Sequence, residues 1–95
     1  MKIWLAPQAE QDLVSAAKFY AAKASPELAG AFLDEFDKPC GLLREKPLSG
    51  RPDSGPTRRL LLRRFPYSLV YRVLATEIQV IAVAHHRRKP GYWTD

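Results

Sequence analysis

Residues 67–86 read YSLVYRVLATEIQVIAVAHH. Tyr67–Leu74 is rich in β-branched and aromatic side chains, and Glu77–His86 contains the apolar run IQVIAVA. Both compositions predict strands, and the short link Ala75-Thr76 predicts that they form an antiparallel hairpin. Strict alternation along the second strand puts Ile78, Val80, Ala82 and Ala84 on one face, with Ile81 and Val83 on the other. A sheet with helices on one side needs only one apolar face. The second apolar face is then covered either by a loop or tail of this chain or by a protein partner.

Upstream of the hairpin, Arg58–Arg64 contains Leu60-Leu61-Leu62 and predicts a further strand. Residues 47–57 before it are a loop: Pro47–Pro56 holds three prolines and two glycines in ten residues. Lys2–Leu5 is a short apolar run and predicts the first strand. Ala6-Pro7 opens a helix, with Ala9, Leu13, Ala16, Ala17 and Tyr20 at helical spacing and Glu10, Asp12 and Lys18 on other faces. That helix should end near Ala24. Ser25-Pro26-Glu27 restarts a helix, with Ser25 as N-cap, Pro26 in the first turn and Glu27 at the positive end of the dipole. Leu28, Phe32, Phe36, Cys40 and Leu43 continue it, and Pro39 should kink it or end it before a last turn with Leu42 and Leu43. The expected fold is α+β: one domain over 1–95, βαα-βββ, an antiparallel helical hairpin (about 7–46) packed on a mostly antiparallel sheet of about four strands. The later strands lie within 58–86, and a basic aromatic tail spans 87–95. Trp4, Phe32, Phe36 and Tyr71 are expected in the core.

The 95 residues carry a net charge of +5, unevenly placed. Residues 1–48 hold six Lys/Arg against seven Asp/Glu, and residues 49–95 hold nine against three, a balance of +6 with eight arginines among the nine. Such a half calls for an acidic partner, nucleic acid or protein, unless it is only a solvated surface. Arginine favours the partner, because its fork binds carboxylate or phosphate through two hydrogen bonds. Cys40 is the single cysteine, so an intrachain disulfide and a multi-cysteine zinc site are both excluded. No stretch approaches the roughly 20 apolar residues of a membrane span. The apolar run at the N-terminus is too short for a signal peptide, so a cytoplasmic protein with no membrane association is expected.

Three stretches carry a family resemblance: KPLSGRP at 46–52, RFPYSLVYRV at 64–73 and IAVAHHRRKPGYW at 81–93. With Ala9, Asp12, Leu13 and Tyr20 of the first helix, they make the chain resemble the ParE/RelE toxin superfamily over essentially its whole length, and ParE more closely than RelE. The resemblance implies the toxin half of a type II toxin–antitoxin (plasmid stabilisation) system that causes growth arrest. It implies neutralisation by a cognate ParD-like antitoxin, whose acidic–apolar segment wraps the toxin in a hetero-oligomer. ParE-like members poison DNA gyrase; RelE-like members enter the ribosome and cut mRNA. A member that has lost toxicity would remain an interaction module.

RNA cleavage needs a base, an acid and cations for the phosphate. Arg64, His85, His86, Arg88 and Tyr92 would supply them if the chain were a nuclease. The resemblance counts against this. Relatives that cut mRNA tend to carry arginine where this chain has Ser68, and their terminal His/Tyr pair falls at Arg87 and Arg88. No catalytic residue is therefore expected, and enzymatic activity stays open. No cofactor is expected. His85 and His86 lack cysteine or paired carboxylate neighbours, so no metal site is expected. Arg63, Arg64, Arg87, Arg88 and Lys89 flank strand ends and form one patch for target or antitoxin if those ends meet. Tyr92 and Trp93 either offer stacking surfaces beside it or pack back as an aromatic lid.

Overall fold

The computed structural model describes residues 1–89 and 91–94. Pro90 and Asp95, both within the expected tail, lie outside the described residues. The elements are β1 (Lys2–Leu5), α1 (Pro7–Lys23), α2 (Pro26–Glu45), β2 (Arg51–Pro52), β3 (Arg58–Leu61), β4 (Tyr67–Val73), β5 (Glu77–His85) and a 3-10 turn, Tyr92–Thr94. The sheet order is β1-β5-β4-β3-β2. β1 lies parallel to β5, and every other neighbouring pair is antiparallel. The α+β architecture is as expected. The sheet has five strands rather than about four, because Arg51 and Pro52 of the expected loop pair with Arg59 and Arg58.

Local chemistry sets the helix boundaries. Pro7 occupies the first turn of α1, where its missing N–H costs no helical bond. Ser25 Oγ accepts from the Leu28 amide at 3.1 Å, capping α2. α2 then continues through Pro39 to Glu45, so the helix does not end at the proline. Pro39 forfeits one backbone hydrogen bond. Cys40 and Leu43, beyond it, are buried against the sheet and offset that loss.

The main core lies between the helical hairpin and one sheet face. It joins Ala9 and Ala16 of α1 and Phe32, Phe36, Cys40 and Leu43 of α2 to Leu69, Tyr71, Ile78, Val80 and Val83. Trp4 departs from expectation: it is 47% exposed. β1 is an edge strand in which Ile3 and Leu5 turn to the core, so alternation puts Trp4 on the open side. Asp12 departs too, being 7% exposed on the core-facing side of α1 rather than on an outer face.

β5 does not keep strict alternation. Tyr71 pairs with Val80, but Val70 pairs with Ala82, which leaves Ile81 as the extra residue of a bulge. The bulge reverses the faces beyond it. Val83 joins the helix-side core, while Ala82 and Ala84 join Val70 on the opposite face. Tyr92 and Trp93 pack on that second cluster, so the tail covers the surplus apolar face. Among the described residues no helix is long and apolar enough to cross a membrane.

Candidate functional site

β3 and β5 both run antiparallel to β4, so their C-terminal ends share one end of the sheet. The turn after β3 carries Arg63 and Arg64, and the chain leaving β5 carries Arg87, Arg88 and Lys89. The His86 amide donates to Pro66 O at 2.8 Å and ties the two segments together. All five cations are exposed. They do not all face one way. Arg63 borders a groove with Glu35, Lys38 and Leu42 of α2. The Arg64 guanidinium lies 5.5 Å from the Phe65 ring centroid. Arg88 turns to the tail instead, 3.6 Å from the Tyr92 ring centroid.

Asp12 organises that tail. β1 stops pairing at Leu5, so β5 loses its neighbouring strand beyond Val80. The Asp12 carboxylate takes over there, accepting from the Val83 amide at 2.9 Å and from the Tyr92 hydroxyl at 2.7 Å. Gln8 Nε2 donates to its other oxygen at 2.9 Å, and Arg88 Nη1 stands 3.9 Å away. A buried carboxylate is tolerated only with such partners. Burial first, then the Asp12 hydrogen bond and charge, raise the Tyr92 phenol well above the ordinary tyrosine range, against the opposing charges of Arg88 and Arg59.

The two histidines point to different sides. The His85 ring packs edge-on to Tyr67 at 5.0 Å between centroids, and its Nδ1 accepts from the Arg87 amide at 3.0 Å. His86 Nε2 lies 3.1 Å from Ser68 Oγ on the opposite face. Among the described residues no group of three or more His, Cys, Asp or Glu side chains is placed to hold a metal ion.

Sequence reasoning missed four participants. Asp12 was legible in principle, since it sits three residues after Ala9 and four before Ala16, inside the buried stripe. Glu35 is the second buried carboxylate of the helical hairpin. Lys38 hydrogen bonds to it at 3.2 Å and, with the backbone amides of Arg63 and Arg64, holds it below the usual carboxylate range, against desolvation. Arg51 and Arg59 line a cleft of about 400 Å³ with Asp53, Ser68, Arg88 and Trp93, on the sheet face away from the helices. No periodicity signals that pair, because β2 is only two residues long.

The sequence and the fold have counterparts among known proteins. A family model described as the ParE toxin of the type II toxin–antitoxin system parDE matches residues 3–90. A solved structure of the chromosomal ParDE toxin–antitoxin system from P. aeruginosa is similar, with a TM-score of 0.80 and 27% identity, covering 90% of this chain and 95% of that chain. No curated protein matches the sequence.

Proposed function

Because the chain belongs to the ParE toxin family of type II toxin–antitoxin systems, we propose that it is a cytoplasmic toxin that inhibits DNA gyrase without catalytic groups of its own, and that a cognate ParD-like antitoxin neutralises it. The exposed cations at the shared end of β3 and β5, together with the tail from Arg87 to Trp93, would carry target and antitoxin binding. An acidic segment suits that surface by charge.

One observation carries the non-catalytic part. The groups that RNA cleavage would require are engaged in other contacts. Tyr92 donates to Asp12 and has its phenol raised far from neutral pH. The His85 ring packs edge-on to Tyr67 on the helix side, while His86 stands with Ser68 on the other. Arg64 lies beside Phe65 in the preceding turn. His85, Arg88 and Tyr92 border one groove, but there the Tyr92 hydroxyl is spent on Asp12 and Nδ1 of His85 on the Arg87 amide, so Tyr92 is not free to partner His85 at a phosphodiester. These positions favour gyrase inhibition over ribosome-dependent mRNA cleavage.

The test mixes the purified protein with DNA gyrase, plasmid and ATP. Dose-dependent linear plasmid and lost supercoiling, both abolished by the antitoxin, are the expected result. Unchanged supercoiling at large excess of folded protein would overturn the reading, and mRNA cleavage in translating ribosomes would then be assayed next.

A further inference from the structure

β2 and β3 set two arginines directly opposite each other. Arg51 pairs with Arg59 across the antiparallel ladder, so both side chains leave the same face. Like charges in that position destabilise a sheet. The neighbouring positions give no reason to place them there. Arg58, on the other face, is used structurally, donating to Gly50 O at 2.8 Å. The Arg51 side chain has no ion-pair or hydrogen-bond partner among the described residues, its backbone alone pairing with β3. Arg59 Nε has one carboxylate neighbour, Asp53 Oδ1 at 3.5 Å. Arg88 also borders the cleft, but its guanidinium is turned to Tyr92 and Asp12, so two guanidinium groups meet one carboxylate there. A local arrangement that costs stability without a structural return marks a functional site.

The other walls narrow the choice of anion. The Arg59 guanidinium lies 5.9 Å from the Trp93 ring centroid, and the indole rests on the apolar cluster of Val70, Ala82 and Ala84. Together they form a flat, partly cationic wall of the type on which nucleobases stack. Ser68 Oγ and His86 Nε2 add a hydrogen-bonding edge at the far end. At about 400 Å³ the cleft is the size of a small-ligand site. A carboxylate would use the arginines and leave the wall and the polar edge idle. A nucleotide would use all three.

We propose that this cleft binds the phosphodiester backbone of single-stranded nucleic acid, with the phosphate between Arg51 and Arg59 and a base against Trp93. The site shares Trp93 with the tail proposed above for target and antitoxin binding, but it needs no gyrase to be observed.

The test uses the full chain with Trp4→Phe, which leaves Trp93 as the single fluorescent tryptophan. Short oligothymidylate and oligouridylate are titrated in at low salt. Saturable quenching of Trp93 is expected, and a preference between the two tells whether the sugar is read. Affinity should fall with salt at a log–log slope of about −0.7, as one neutralised phosphate on a single strand requires. Arg51→Gln and Arg59→Gln should each weaken binding about tenfold and flatten that slope. Lys23→Gln, an equal charge loss at the far end of α1, should change neither. Because Arg51 is exposed, its variant keeps the core intact, and inorganic phosphate should raise the melting temperature of the parent more than that of Arg51→Gln. Absent quenching, equal losses for Lys23→Gln and Arg51→Gln, or tighter binding of oligoglutamate at the same arginines would each overturn the proposal. A negative gyrase assay would leave it standing.

Discussion

The Tyr92 hydroxyl donates a 2.7 Å hydrogen bond to the buried carboxylate of Asp12, eighty residues earlier in the chain. The same oxygen of Asp12 accepts from the Val83 amide. One side chain of α1 therefore replaces the missing neighbour of β5 and fastens the tail. Asp12→Ala would leave a buried amide and a buried hydroxyl unpaired, at a cost of about 2–3 kcal/mol. Tyr92→Phe should cost about 1 kcal/mol, since the Val83 bond survives. Denaturant unfolding measures both. Trp93 emission should shift to the red in Asp12→Ala, because the tail loses its anchor; an unshifted spectrum would mean that apolar packing alone holds it.

Alkaline pH probes the same contact. Burial is the leading cause that raises all four tyrosine phenols from 10.0, Tyr92 furthest. A folded value above the unfolded one means the unfolded chain releases its proton first. The stability contributed is complete below pH of about 10 and is lost as the pH rises from there through the raised folded values. Tyr92→Phe should lessen that loss, which urea midpoints between pH 9 and 11.5, roughly spanning the ordinary tyrosine range, would register. An identical alkaline slope in parent and variant would contradict the assignment.

Gly50 and Tyr71 form a second long-range pairing. Tyr71 Oη accepts from the Gly50 amide at 2.8 Å and donates to Pro47 O at 2.8 Å, which anchors the proline-rich loop to the core. A Cβ on Gly50 would stand 2.6 Å from that oxygen and 3.0 Å from Arg59 O. Gly50→Ala should cost about 1–3 kcal/mol by overpacking, and Tyr71→Phe a similar amount by stranding the Gly50 amide. The double variant should cost less than the sum, since the two changes share one contact. Strict additivity in thermal unfolding would refute the pairing.

Cys40 should be chemically silent in the native state. It is 5% exposed, and burial pushes its thiol up to about 11, with Arg44 opposing and Asp37 adding to the shift. The thiolate is the reactive form, so iodoacetamide at pH 8 should label the protein only as fast as it unfolds. Labelling at the rate of a free thiol in folded protein would show that the end of α2 after Pro39 opens locally.

Most of the secondary structure was readable in the residues themselves. Ser25-Pro26-Glu27 marked the start of α2 because capping is a contact over three residues. The β4–β5 hairpin showed in two β-branched runs with a short link. The tail's aromatics suggested a lid, and Tyr92 and Trp93 do cover the second apolar cluster. The cations after β3 and β5 were correctly assigned to strand ends. Their roles in binding await the experiments above.

What this sequence determined on its own is whatever depends on near neighbours: helix caps, the hairpin, the helix-side apolar stripe and the basic bias of the second half. Only the tertiary structure decided the Ile81 bulge, which turns Ala82 and Ala84 away from Val80 and gives the tail its seat. It alone set Arg51 against Arg59, buried Asp12 beneath Tyr92 and left Trp4 outside. The physical reason is shared. A bulge, a cross-strand pair and a buried carboxylate are each fixed by the partner that arrives from a distant segment, and period-two or period-3.6 patterns record burial along one element without naming that partner.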